Sequence, residues 1–518
     1  MVKTMDKKLL IGGVVVLVAI IGGAFMFMGN SYHDDDPTHL VVAAHSNIKE
    51  PKAGFNPLTG WGCGHQNYNP LVQSCLFKTD TNGTIVPDLA TDYKISDDGK
   101  TWTVNIRNDV KFSDNSTLTA KDVAFTFNTA KETESELDMT NLANATAVND
   151  TCVEFKLVEP RSTFIYDLRY VGIVPADTYD NSTYGEHPIG TGPYVLDHWD
   201  KGQQAIFKVN DNYYGEKPYF TQITLVFPEE ATWLELAKSG DFDVVPVATS
   251  ALNQTVDGYQ FVEKSAGRSQ GVSLPYQQDT GVVVNGTYKI GNNVTADKAI
   301  REALNVGINR TEMVNAVFAG HATPEFTGVD TRDYVNNASK VNDSNIEQAK
   351  QILAAGGWND TDGDGIVEKN GTKASFDLYY PPDYLDRQSL STVFSEQAKQ
   401  MGIEVNLKGA DWDTIYQNMY SSAALMQQTS PDPYKSVYQQ YHSKECDGFY
   451  MNPNLYNNSA SDALMQQAMG TNDFNQANSL WAQSALVNGG GWGPAGDAPW
   501  VWLANYDYNY FIKDGVDI

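Results

Sequence analysis

The sequence predicts an α/β protein of two or three domains behind an N-terminal transmembrane helix. The length of 518 residues exceeds what one ordinary core holds together. Strand-like and helix-like stretches alternate through most of the chain, as in mainly parallel sheets covered by helices. Residues 9–28 are uncharged and mostly apolar, and about 20 such residues cross a bilayer as a helix.

Lys3, Lys7 and Lys8 precede this apolar run, and Asp34, Asp35 and Asp36 follow it. The positive-inside rule then places the N-terminus in the cytoplasm and everything after Asn30 outside. The run is longer than a signal-peptide core of roughly 7–15 residues. The expectation is a single-pass anchor in the cell membrane with an extracytoplasmic domain. The alternative is a secreted or periplasmic chain cleaved near Gly22, Gly23 and Ala24. The formal charge is −28, from 64 acidic and 36 basic residues. Such a surface repels nucleic acid and anionic membranes, which excludes both as partners of the exported part. Four cysteines, Cys63, Cys75, Cys152 and Cys446, allow one or two bridges and rule out a disulfide scaffold. Asn-x-Ser/Thr triplets at Asn82, Asn115, Asn144, Asn181, Asn285 and Asn293 suit an exposed exported chain.

Residues 39–44 (HLVVAA) read as a buried strand, followed by a Gly-rich irregular stretch from Phe55 to His65. Asp97-Asp98-Gly99 is a turn that pairs residues 93–96 with 102–106 as a hairpin. Thr119 with Asp122 three residues later starts a helix carrying Val123, Phe125 and Phe127. Residues 151–157 alternate as a half-buried strand, and 164–174 read as a helix stopped by Pro175. In Pro188-Ile189-Gly190-Thr191-Gly192-Pro193-Tyr194, two Gly and two Pro fix a turn where backbone and partner approach closely. Strand, helix and strand follow at 223–227, 231–239 and 242–246. One amphipathic helix is expected over 295–310 and another over 347–355, then strand, helix and strand at 376–380, 387–401 and 403–407. The aromatic tail 500–511 returns as a strand to the first lobe.

The stretch from Ile85 to Thr129 resembles the signature of the family 5 extracellular solute-binding proteins, the peptide- and nickel-type receptors of ABC importers. The matching residues are Pro87-Asp88-Leu89-Ala90, Asp98-Gly99-Lys100-Thr101-Trp102-Thr103, Arg107, Val110-Lys111-Phe112-Ser113-Asp114 and Leu118-Thr119-Ala120-Lys121-Asp122-Val123. Asn115 stands where the family usually has Gly, in a turn that Asn can serve. The segment Pro188–Tyr194, Asn212-Tyr213-Tyr214-Gly215-Glu216-Lys217-Pro218 and the region 295–320 continue the likeness. It implies a two-lobed periplasmic-binding-protein-like fold of class II, the large peptide-receptor type, with an extra domain. The implied domains are 1–30 as anchor or signal; 37–75 with 186–278 and 498–518 as lobe I; 76–185 as the extra domain; and 279–497 as lobe II. It also implies a monomer that binds a small-molecule or short-peptide ligand by lobe closure and meets ABC permease subunits, and that is not an enzyme.

A peptide-like ligand ranks first, a nickel or metal-chelate ligand second and a secreted hydrolase last. No G-x-S-x-G elbow, Walker loop or dinucleotide fingerprint is present. Aromatic and neutral hydrogen-bonding groups at Trp61, His65, Gln427, Gln428, Thr429, Tyr434 and Tyr508 are the candidate ligand contacts, with Arg268 as an anion partner. The resemblance implies that peptide receptors carry a carboxylate a few positions before the Asp432-Pro433 turn. Here Met426, Gln427, Gln428 and Thr429 are all neutral, and Asp432 is expected to cap backbone. Arg169 is the nearest candidate for the arginine of the nickel-chelate receptors. Cys63, His65, His442 and Cys446 offer thiolate and imidazole that suit Ni²⁺ or Zn²⁺. Asp360, Asp362, Asp364 and Gly365 imitate the start of a Ca²⁺ loop, but position 12 is Gly371, so a weak Ca²⁺ site competes with a plain acidic turn.

Overall fold

The computed structural model describes residues 36–45, 50–51, 54–59, 71–80, 83–133, 137–284, 288–445 and 451–517. The apolar run 9–28 lies outside them, as do Asn82, Asn285, Trp61, Cys63, His65 and Cys446. Among the described residues no helix is long and apolar enough to cross a membrane.

Among the described residues the largest sheet has eleven strands and is mixed. At its centre Tyr259–Ser273 and Trp500–Lys513 lie antiparallel. At one end Val244–Pro246 pairs with the last residues of the second strand, and His39–Ala43, Gln222–Val226, Gln204–Val209 and Tyr194–Asp200 continue the sheet. At the other end Ala423–Gln428 pairs with Ser269–Ser273, followed by Ser375–Tyr380 and Glu404–Gly409. The tail thus forms a 14-residue strand, paired along its length with Tyr259–Ser273. The register between the two crossing strands slips between Lys264 and Arg268, at Gly267 with φ of 55°. A Cβ there would meet Nη2 of Arg332 at 2.5 Å.

The extra domain is a four-stranded antiparallel sheet, ordered Ala90–Ile95, Thr101–Ile106, Cys152–Leu157 and Leu142–Asn149. The helix Ala120–Glu132 packs on it through Val123 and Phe127, over a core that includes Trp102, Phe112, Phe155 and Phe164. The expected hairpin pairs Tyr93 with Val104 and Ile95 with Trp102. Asp122 accepts the Thr119 backbone N–H at 2.8 Å, closing the start of the helix. Asn115 is left-handed, with φ of 74°. Cys152 is buried and forms no disulfide.

The Pro188–Tyr194 segment packs against residues 71–72. Gly192 donates its N–H to the Val72 carbonyl at 2.8 Å. A Cβ on Gly190 would sit 2.0 Å from the same oxygen.

Two helices differ from expectation. The helix expected over 295–310 is Lys298–Gly307, and a separate helix, Arg310–Phe318, follows it, because Ile308 turns extended and Asn309 caps the second helix through the Glu312 N–H. The helix expected to reach Val174 is Phe164–Tyr170. Val171 turns extended, and Gly172 then packs against Gln73 and Pro57 with no room for a side chain.

Candidate functional site

The strand Ala423–Gln428 and the two crossing strands bring Arg268, Gln270, Gln427 and Tyr506 to one point at the junction of the lobes. The helix Leu385–Gln400 adds Asp386 and Arg387 from its first turn. Arg387 Nη2 donates to Gln427 Oε1 at 3.0 Å, Gln270 Nε2 at 3.1 Å and Arg268 Nη2 at 3.5 Å. One amide oxygen therefore receives two guanidinium groups. Gln270 also donates to the Tyr506 hydroxyl at 3.1 Å, and that hydroxyl donates to Asp386 at 2.9 Å. Burial, with Asp386 alongside, pushes the Tyr506 phenol up, so it stays protonated at neutral pH.

Aromatic rings line both guanidiniums. Arg268 lies 4.3 Å from the Tyr506 ring centre and 4.8 Å from that of Tyr508. Arg387 lies 4.6 Å from Tyr384 and 5.2 Å from Trp412. These are cation–π distances. His45 meets the edge of Tyr508 at 4.8 Å. Burial, with Arg268 adding to it, pushes the His45 imidazole down to about 3, so it is neutral. A third guanidinium, on Arg332, donates to the Thr429 carbonyl at 3.1 Å.

The other sequence candidates lie in different surroundings. The Gln428 amide is turned into its own loop, donating to the Lys435 carbonyl and accepting the Ser430 N–H. Tyr434 stacks over the Arg161 guanidinium at 4.0 Å, at the seam with the extra domain. Asp432 caps backbone there, accepting the Tyr434 N–H at 2.9 Å, and pairs with Arg161 at 3.4 Å. Arg169 donates to the Thr79 hydroxyl at 2.6 Å.

His442 stacks on Tyr438 at 4.2 Å, and its Nδ1 accepts the Lys444 N–H. Burial holds this imidazole below its ordinary value. In the acidic turn, Asp360, Asp362 and Glu368 bring one carboxylate oxygen each within 4.8 Å of the others. Asp364 pairs with Lys373 instead, and Asp360 already accepts the Gly363 and Gly365 N–H groups.

Gln270, Arg387, Tyr506 and Asp386 were not candidates in the sequence. The available signal was scarcity. The chain has eight arginines, and six of them are buried. A buried arginine in an acidic chain has a specific task.

The pattern of the bacterial extracellular solute-binding proteins, family 5 Middle, matches residues 84–448. Protein XP55 of Streptomyces lividans is 30% identical over 533 residues, covering 99% of this chain and 92% of that protein. The Bacillus subtilis oligopeptide-binding protein AppA, solved in complex with a nonapeptide, superposes with a TM-score of 0.68 at 26% identity, covering 93% of this chain and 96% of that one. NikA of Brucella suis, solved with Fe(III)-EDTA, shares the fold with a TM-score of 0.77 at 20% identity, over 93% of this chain and 96% of that one. The signature stretch and these matches agree, and the chain belongs to the family 5 bacterial extracellular solute-binding proteins.

Proposed function

We propose that the chain delivers a peptide-like ligand to an ABC importer, binding it between the lobes and closing over it. The observation that carries this reading is the polar cluster at Arg268, Gln270, Gln427 and Tyr506. It is built from the two strands that pass between the lobes, so a ligand there touches the point about which they move. The segment 1–30 would hold the receptor at the membrane surface as a single-pass anchor, beside the permease subunits. The receptor would act as a monomer without catalysis.

A metal chelate is the second reading. Its support is the pair of guanidiniums at Gln427, which suit the carboxylates of a chelating acid as well as those of a peptide. His442, stacked and hydrogen-bonded, is poorly disposed to ligate a metal directly.

The test is incubation of the purified full-length chain with a pool of di- to pentapeptides and, separately, with Ni²⁺ plus free histidine. Thermal unfolding and mass spectrometry are then recorded. A receptor melts higher with its ligand and releases no fragments. New peptide fragments would sink the receptor reading, and a rise only with Ni²⁺ plus histidine would reverse the order of the two ligands.

A further inference from the structure

Six arginines are buried in this acidic protein. Arg161 and Arg310 are paired with carboxylates. Arg301 donates to the backbone carbonyls of Asp497 and Thr295, and Arg169 to the Thr79 hydroxyl. Arg268 and Arg387 differ. They are 7% and 8% exposed, and among the described residues the hydrogen-bond acceptor of each is the single oxygen of Gln427. Among the described residues, Arg268 Nε and Arg387 Nε and Nη1 have no hydrogen-bond partner, and neither does the buried Gln270 Oε1. Guanidinium stays charged in proteins. Two such charges converging on one neutral oxygen repel each other, and a buried charge without a counter-ion is costly. The nearby Asp386 carboxylate, which accepts the Tyr506 hydroxyl, supplies one negative charge beside the two cations.

We infer that Arg268 and Arg387 form a subsite for the di-acid end of the ligand, a small dicarboxylate or a peptide side ending in two carboxylates. This assignment rests on the receptor reading and names the chemistry of its ligand. Gln427 Oε1 marks where one carboxylate oxygen receives both guanidiniums. The unpartnered Nε and Nη1 donors supply the remaining bonds, in the forked geometry that arginine offers to carboxylates. Two carboxylates engage the free donors of both guanidiniums, whereas a mono-acid leaves those of one unpartnered. The faces of Tyr384, Trp412, Tyr506 and Tyr508 flank the guanidiniums and hold the carbon chain between the acids. A ligand ammonium has no carboxylate at Gln427–Thr429 to meet, and Arg332 stands at the Thr429 carbonyl.

The experiment compares glutarate with butyrate, and a peptide ending in Glu with the same peptide ending in Gln amide. Thermal shift and calorimetric titration are run on the full-length chain and on its R268M and R387M variants, which keep an apolar stem against the rings. Glutarate and the Glu peptide raise the melting temperature, and butyrate and the amide bind about tenfold or more weakly, as expected for losing a charged hydrogen bond. Each variant loses the glutarate response by a similar factor. Each also melts at or above the parent when ligand-free, because one of two repelling buried charges is gone. Equal binding of mono-acid and di-acid, no response to glutarate, unchanged binding by the variants, or a lower ligand-free melting temperature in both variants overturns the assignment. A chain stabilised by neutral peptides but not by glutarate loses the di-acid subsite and keeps the receptor reading. A chain that no solute stabilises and that cleaves peptides loses both.

Discussion

Glu325 shows how one buried group makes this protein sensitive to pH. Its side chain is fully buried, and it accepts the Asp330 N–H at 3.0 Å and the Asn505 amide at 3.1 Å. Burial, reinforced by the charge of Asp330, pushes its carboxyl up to about 7. A carboxyl raised in the folded state favours folding while protonated. That contribution is complete below the ordinary carboxylate range near 4.5 and is lost as pH rises towards 7. Glu325→Gln should therefore flatten the fall in melting temperature between pH 5 and pH 8. Parallel profiles for the parent and the variant would show that Glu325 is not the group responsible. At the same scale, Gly190 was legible in the sequence. Two glycines between two prolines predicted a turn with a close approach, and the structure shows the Val72 carbonyl as the atom that approaches.

At the scale of elements, one cation and two acids join the segment 161–167 to the Asp432–Tyr434 turn. Arg161 pairs with Asp167 at 3.0 Å and with Asp432 at 3.4 Å, under the face of Tyr434. Burial pushes the Asp167 carboxyl up to about 6 against the pull of Arg161. Ser162 adds two bonds, from its N–H to the Met469 carbonyl and from its hydroxyl to the Ala468 carbonyl. Arg161→Met leaves two buried carboxylates facing each other and should cost about 3–5 kcal/mol. Adding Asp432→Asn should recover part of that loss, because the partners are coupled. Urea unfolding of the single and double variants gives the numbers. A loss under about 1 kcal/mol for Arg161→Met would mean that the seam draws its stability from elsewhere. The hairpin and capped helix of the extra domain were legible because their signals are local. The Asp-Pro turn was legible as a backbone cap, but its distant partner Arg161, 271 residues away, was not.

At the scale of the molecule, two crossing strands join the lobes, and their register slips between Lys264 and Arg268. Gly267 takes φ of 55° at that slip, and Arg332 crosses where a side chain would stand. Gly267→Ala should cost about 1–2 kcal/mol for the left-handed backbone alone, and should also push Arg332 off the Thr429 carbonyl. Chemical denaturation checks the cost, and a variant as stable as the parent would show that the bulge relaxes without strain.

The sequence by itself determined the family, the alternation of strands and helices, and the absence of an acid at Gln427–Thr429, because each of these is a matter of local residue identity and spacing. The break between Lys298–Gly307 and Arg310–Phe318 escaped it, since a cap at Asn309 reads as one more polar residue on a periodic face. Only the tertiary structure decided that the aromatic tail pairs along its length with Tyr259–Ser273, that Gln428 and Tyr434 face other partners, and that Arg268 and Arg387 share one oxygen. The physical reason is distance along the chain. Arg268, Arg387, Gln427 and Tyr506 are far apart in sequence, and the pairing of the crossing strands, together with a helix start packed beside them, brings their side chains within hydrogen-bond reach.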